Sequence, residues 1–253
     1  MSEEKTFLVY RNSGKGDIRY ERYTVPVFKG MSVLEALFYI QDYYDSTLAF
    51  RYACRGAICG SCGMTIDKIP LLACRSQIST LKSYKKPINL PHFDFGTNLN
   101  WDSENEILVE PLPNMIIIKD LVVDMDTFWN FYKEVEPYFS REWNDIASES
   151  KQSPKDMKII ERYVYCILCG LCWACPVNKK NKNYLGPAQL AKANRFIEDT
   201  RLTEDRRKRI TLRISKDDAV PACEQYFVCN RVCPKQVMPG TAIKELRDNW
   251  IKK

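Results

Sequence analysis

The 11 cysteines of this chain fall into three groups whose internal spacing limits how the surrounding residues can fold. The first is Cys54-Arg-Gly-Ala-Ile-Cys59-Gly-Ser-Cys62, with Cys74 further on; the second is Cys166-Ile-Leu-Cys169-Gly-Leu-Cys172-Trp-Ala-Cys175-Pro176; the third is Cys223, Cys229 and Cys233-Pro234. Disulfide frameworks of comparable density belong to short secreted scaffolds with an even cysteine count. Here the chain has 253 residues, an odd count and the polar opening Met1-Ser2-Glu3-Glu4-Lys5. The expectation is a reducing compartment, where metal ligation is the commonest collective task of thiols. No window offers the ~18 to 20 consecutive apolar residues of a membrane span, since the run Met115 to Ile118 is closed by Lys119 and Asp120.

The first group reads C-x4-C-x2-C followed by a distant Cys, the plant-type ferredoxin spacing for a [2Fe–2S] cluster. Three thiolates on one tight loop need close backbone approach, and Gly56, Gly60 and Gly63 are expected to supply positive φ angles that turn amide N–H groups toward sulfur. Cys74 then returns from a neighbouring segment as the fourth ligand. A zinc site using Cys59-x-x-Cys62, or plain buried cysteines, is the competing reading of these residues.

In the second group, C-x2-C-x2-C wraps three corners of a cubane cluster, while a Cys followed by Pro belongs, in bacterial ferredoxins, to the other cluster. Crossed ligation follows: Cys166, Cys169, Cys172 and Cys233 for a [4Fe–4S] cluster, with Cys175, Cys223 and Cys229 left for another. Three thiolates match a [3Fe–4S] cluster, and Tyr226 stands where a middle ligand would fall. Four, four and three ligands use every cysteine. The gap between Cys172 and Cys175 is one residue shorter than the usual x3 spacing.

Along the chain, Thr6 to Arg11 and Arg22 to Phe28 alternate apolar and polar residues around the turn-forming Asn12 to Asp17, a hairpin signal. Ser32-Val33-Leu34-Glu35 has capping-box form and opens an expected helix from Ser32 to Tyr44. Short strands are expected at Gly63 to Ile66 and Pro87 to Leu90. After the linker Pro111-Leu112-Pro113 and the apolar crossing segment Ile116 to Val123, helices dominate: one with Phe128, Phe131, Tyr132 and Val135 on one face, one from Pro187 with Leu190, Ala191, Asn194 and Ile197 aligned, and one from Thr241 to Ile251. The fold class is α+β, with a first domain over residues 1–112 and a helical one over 113–253.

Net charge is +6, and between Pro176 and Lys216 twelve Lys or Arg stand against four Asp or Glu. The basic excess therefore sits in one segment, usually a solvated face, which could attract anionic headgroups or an acidic partner. Trp173, inside the second loop, is expected to shield a cluster from water, one lever on reduction potential. The single histidine, His92, is expected to have an ordinary surface or turn role.

The stretches "CRGAICGSC", "PLPNMIIIKDLVVDM", "CILCGLCWACP", "YLGPAQLAKANRFIEDTR" and "CEQYFVCNRVCPKQVMPGTAI" together resemble the iron–sulfur subunits of succinate dehydrogenase and fumarate reductase, the respiratory complex II, over nearly the whole chain. The resemblance implies a β-grasp ferredoxin domain followed by an all-α dicluster domain. It implies one [2Fe–2S], one [4Fe–4S] and one [3Fe–4S] cluster, passing electrons in that order between an FAD-bearing flavoprotein subunit and a quinone at a membrane anchor subunit. Cys54, Cys59, Cys62 and Cys74 would face the flavoprotein; Cys175, Cys223 and Cys229 would lie nearest the membrane, with the chain peripheral on its cytoplasmic side. Pro176 and Lys179 would border a quinone pocket. Several relatives carry a Trp pair after the Cys-Pro and a His after the first Cys of the third group, where this sequence has Val177-Asn178-Lys179-Lys180 and Glu224.

Two other readings compete. One is the iron–sulfur subunit of a soluble, thiol-driven fumarate reductase, suggested by the departures at Lys179, Lys180 and Glu224. The other, from a different class, is a zinc-bearing nucleic-acid module; confinement of the charge to one segment and a sequence pI near 8.7 argue against nucleic acid as a partner. The dicarboxylate chemistry is expected in a separate flavoprotein, with no catalytic residue in this chain.

Overall fold

The computed structural model describes residues 3–84, 99–139, 149–174, 178 and 180–251. The expected strand at Pro87 to Leu90 and His92 lie outside the described residues. Contacts divide the chain into two units: Met1–Met125 with Cys169–Pro176, and Asp126–Leu168 with Val177–Lys253.

The first unit is built on a five-stranded mixed sheet. Strands β1 (Glu3–Arg11) and β2 (Arg19–Val27) form the expected antiparallel hairpin, β3 (Gly63–Ile66) and β4 (Ile69–Leu72) a second one, and β5 (Glu106–Glu110) joins them, parallel to β1 and antiparallel to β3. The order is β2-β1-β5-β3-β4. Because β1 is internal to the sheet, Phe7, Leu8, Val9 and Tyr10 are all at most 1% exposed, a continuous buried run rather than the alternation of a half-solvated strand. Helix α1 (Val33–Tyr43) buries Val33, Leu34, Ala36, Leu37 and Ile40. Its start is set as the sequence anticipates: the Ser32 hydroxyl accepts from the Glu35 amide at 3.3 Å, and the Glu35 carboxylate accepts from the Ser32 amide at 2.7 Å. The sheet and helix α1 make the expected β-grasp arrangement.

Residues 113–125 stay with this unit through a buried ion network. Arg11, only 2% exposed, donates to Asp120 (3.1 Å), Asp45 (2.6 Å), Glu21 (3.0 Å), the Tyr23 hydroxyl (2.7 Å) and the Thr47 hydroxyl (2.9 Å). Asp120 also accepts from the Asn12 and Ala49 amides, each at 2.9 Å. Each nitrogen of the planar guanidinium fork thereby meets an oxygen acceptor. The segment expected as an apolar crossing is instead a short ribbon, β6 (Ile117–Lys119) with β7 (Val122–Val123), that leaves Ile116 72% exposed.

The second unit is helical, as expected. Helix α4 (Pro187–Ile197) is its axis, with nine of 11 residues buried. Helices α2 (Asp126–Glu134), α3 (Pro154–Val164), α5 (Glu204–Ile214) and α7 (Pro239–Leu246) all pack on it. A one-turn helix, α6 (Val228–Arg231), precedes α7, and a π-turn at Arg247–Ile251 ends the described chain. Two polar residues on the buried side of α4 find partners: Gln189 donates to the Phe128 carbonyl at 2.9 Å, and Asn194 to the Glu245 carboxylate at 3.0 Å. Glu245 also accepts from the Tyr163 hydroxyl. Burial and this carboxylate push the Tyr163 phenol above its usual range.

Candidate metal centre

The β3–β4 hairpin explains how Cys74 meets the loop far before it. Its two-residue turn, Asp67-Lys68, takes φ of 47° and 62°, the type I′ geometry that suits strand twist. The register pairs Gly63 with Leu72, so residues just outside the strand ends lie side by side. The Ala73 amide donates to the Cys62 carbonyl at 3.0 Å and the Cys74 amide to the Cys62 Sγ at 3.5 Å.

At the other end of the loop, amide groups converge on sulfur. Gly56, Ile58 and Cys59 donate to the Cys54 Sγ at 3.4, 3.2 and 3.2 Å, Cys54 donates to the Cys59 Sγ at 3.4 Å, and Ala57 to the Cys74 Sγ at 3.3 Å. These contacts pair Cys54 with Cys59 and Cys62 with Cys74. Two thiolate pairs are what the two irons of a [2Fe–2S] cluster take, and amide donors aimed at sulfur compensate the negative charge of such a centre. The pairs differ electrostatically. The Cys54 amide, then the Ser61 hydroxyl, draw the Cys59 thiol down to about 6. Burial pushes the Cys62 thiol up to about 12.

The glycines act differently from expectation. Of Gly56, Gly60 and Gly63 only Gly60 has positive φ, 75°; the left-handed positions are Arg55 (56°) and Ala57 (58°). Gly63 matters for proximity, since a Cβ there would lie 3.1 Å from the Cys169 carbonyl and 3.3 Å from Leu171 Cδ2. The first two cysteine groups thus meet by direct backbone approach. The segment Leu171–Ala174 forms a single 3-10 turn with Trp173 4% exposed.

The alternation at Arg55 and Ala57 recurs beside the other cysteines: Leu168 (53°) and Gly170 (76°), Gln225 (56°) and Phe227 (56°), Gln236 (53°) and Met238 (58°). Positive φ at every second residue turns successive amides toward one concave side, the nest geometry that holds anions and iron–sulfur clusters. In the last of these the Val237 amide donates to the Cys233 Sγ at 3.3 Å. Only one of these eight positions is glycine, which is why sequence reasoning missed them.

In the second unit Cys166 and Cys233 are brought together, packed on the cluster of Tyr163, Ala191, Val237 and Ala242. Burial raises the Cys166 thiol, while the Lys192 charge opposes that. Cys169 and Cys172 lie in the first unit. Cys229 is buried; a Cβ on Gly240 would stand 3.2 Å from its sulfur. The Cys223 carbonyl accepts from Arg247 at 2.7 Å. Cys175, Pro176 and Lys179 lie outside the described residues. None of the ten described cysteines is in a disulfide, and among the described residues no three His, Cys, Asp or Glu side chains converge as around one metal ion.

Two surface features complete the picture. Tyr226 is 45% exposed; its hydroxyl donates to Glu224 and accepts from Lys180 at 2.8 Å, and Lys180 pairs with Glu224 at 2.9 Å. The arginines of the basic segment are internally neutralised: Arg195 and Arg201 by Asp199, Arg206 by Glu136, Arg207 by Glu204, Arg209 by Asp205 and Arg213 by Glu134 and Asp218.

Comparison with known proteins agrees with this geometry. A family model described as a 2Fe–2S iron–sulfur cluster binding domain matches residues 6–130. The chain is 34% identical over 97% of its length, and 75% of the relative's, to succinate dehydrogenase [ubiquinone] iron–sulfur subunit 2, mitochondrial, of Oryza sativa subsp. japonica. It is 33% identical over 88% of its length, and 83% of the relative's, to the fumarate reductase iron–sulfur subunit of Haemophilus influenzae. Among solved structures, a chain of the Mycobacterium smegmatis Sdh1 complex in the apo form superposes with a TM-score of 0.80 at 22% identity, covering 98% of this chain and 97% of that one.

Proposed function

The chain belongs to the iron–sulfur subunits of succinate dehydrogenase and fumarate reductase, electron-transfer components of oxidoreductase complexes, and on that premise we propose that it relays electrons between an FAD-bearing flavoprotein subunit and a quinone at a membrane anchor. The clusters, when bound, supply the one-electron chemistry: one [2Fe–2S], one [4Fe–4S] and one [3Fe–4S], in that order. The residues proposed to hold them are Cys54, Cys59, Cys62 and Cys74 for the first, Cys166, Cys169, Cys172 and Cys233 for the second, and Cys175, Cys223 and Cys229 for the third.

The observation that carries the relay is the approach of Gly63, next to Cys62, to the backbone of Cys169. Two ligand-bearing segments in direct contact are what a relay between successive centres needs. Amide donors on Cys54, Cys59, Cys62, Cys74 and Cys233 stabilise the thiolates. Buried Trp173 keeps water from the second loop. No helix among the described residues is long and apolar enough to cross a membrane. That suits a peripheral subunit held on the cytoplasmic face by an anchor, with Pro176 and Lys179 bordering the quinone.

The test is metal analysis of the complex purified anaerobically: iron with acid-labile sulfide, and cluster reduction on adding succinate. Zinc without sulfide would overturn the reading.

A further inference from the structure

Phe38 is an aromatic residue that core packing does not account for. Helix α1 turns Val33, Leu34, Ala36, Leu37 and Ile40 inward, and Phe38 stands half-buried on its flank. There its ring meets Tyr52 edge-to-face, with 4.6 Å between centroids, and Phe50 at 5.4 Å. Over this aromatic corner lies Arg55, its guanidinium carbon 5.0 Å from the Phe38 centroid and 5.5 Å from that of Tyr52. The loop that carries Cys54 and Cys59 is thereby fastened to α1, within the first unit.

The fastened residue also makes a strained turn of that loop. Arg55 has φ of 56°, left-handed, which an L side chain adopts only at a cost. The turn brings the next amide, that of Gly56, to 3.4 Å from the Cys54 Sγ, ahead of Ile58 and Cys59 at 3.2 Å each. A guanidinium stacked on rings is held by attraction to their π faces. We propose that Phe38, with Tyr52, is a positioning residue for the [2Fe–2S] centre: it holds Arg55 in the left-handed turn, keeps the Gly56 amide on Cys54, and so raises that centre's reduction potential. Reduction delivers one electron from the donor with no bond made or broken, and amide donors on sulfur offset the added negative charge. This rests on the assignment of Cys54, Cys59, Cys62 and Cys74 to one cluster, all of them in the first unit.

The test is a double-mutant cycle on the assembled complex: Phe38→Leu, Arg55→Gln and both together, with Phe38→Tyr to keep the ring. Iron and sulfide content are measured, and EPR follows each centre through a dithionite titration. The expected result is a negative shift of the [2Fe–2S] midpoint in Phe38→Leu, a larger one in Arg55→Gln, and no further shift in the double variant. Phe38→Tyr keeps the unsubstituted midpoint, and the other centres stay unmoved throughout. Lowered [2Fe–2S] content in Phe38→Leu that Phe38→Tyr restores supports the same conclusion. An unmoved midpoint in Phe38→Leu at full content, shifts that add in the double variant, or equal loss of the cluster in Phe38→Leu and Phe38→Tyr overturns it. Absence of any [2Fe–2S] signal in the unsubstituted complex would instead remove the ligand assignment beneath it.

Discussion

Asn114 and Trp173 clamp each other: the Asn114 side-chain amide donates to the Trp173 carbonyl at 3.1 Å, and the Trp173 indole N–H donates to the Asn114 carbonyl at 3.2 Å. The pair ties the second cysteine loop to the first unit. Asn114 also has φ of 64°, a conformation that Asn adopts at lower cost than Ala. Asn114→Gly keeps the backbone and loses one bond, costing about 1 kcal/mol. Asn114→Ala loses the same side-chain bond and adds the strain of a left-handed alanine, about 2 kcal/mol in all. Urea midpoints of the assembled protein should rank wild type, Gly and Ala in that order.

The Arg11 network predicts a larger effect. Asp120→Ala leaves a guanidinium that is 2% exposed short of one partner, and two amides without an acceptor. Breaking a buried pair from one side costs about 3 to 5 kcal/mol. Chemical unfolding of Asp120→Ala beside Asp120→Asn measures it; equal stability of all three proteins would contradict the network.

Asp45 makes that network pH-dependent. The Thr47 hydroxyl, then Arg11, hold its carboxyl down to about 2 against 3.8. The depressed value means the folded state favours the anion. Its contribution of about 2 kcal/mol is complete above about pH 5 and vanishes as pH falls toward 2. The stability gap between wild type and Asp45→Asn should therefore close across that window.

The sequence exposes much of this architecture because its strongest signals are local. Ser32 and Glu35 cap α1, and the Asn12 to Asp17 turn joins β1 to β2, through neighbours in the chain. What escapes it depends on distant partners. Strand β5 begins and ends in buried glutamates that read as polar, yet Glu106 pairs with Arg22 at 2.6 Å and Glu110 with Lys68 at 2.7 Å. Strand β4 follows Asp67-Lys68, which lacks the glycine that usually announces a type I′ turn. The cysteine groups were legible by spacing. The left-handed Arg55, Ala57 and Met238 were not, since they flank amides that donate to sulfur and residue type does not announce them.

Gly63 predicts a kinetic effect separable from the potentials. In Gly63→Ala the new Cβ meets the Cys169 carbonyl at 3.1 Å, so the two segments must part by a few tenths of an ångström. Electron transfer between the first two centres should slow with both midpoints unmoved, as followed by rapid-freeze EPR after succinate addition.

The most direct measurement of the relay is EPR of the complex carrying Cys229→Ser. The ligand sets predict loss or alteration of the [3Fe–4S] signal with the [2Fe–2S] signal intact. Loss of the [2Fe–2S] signal alone would contradict the assignment.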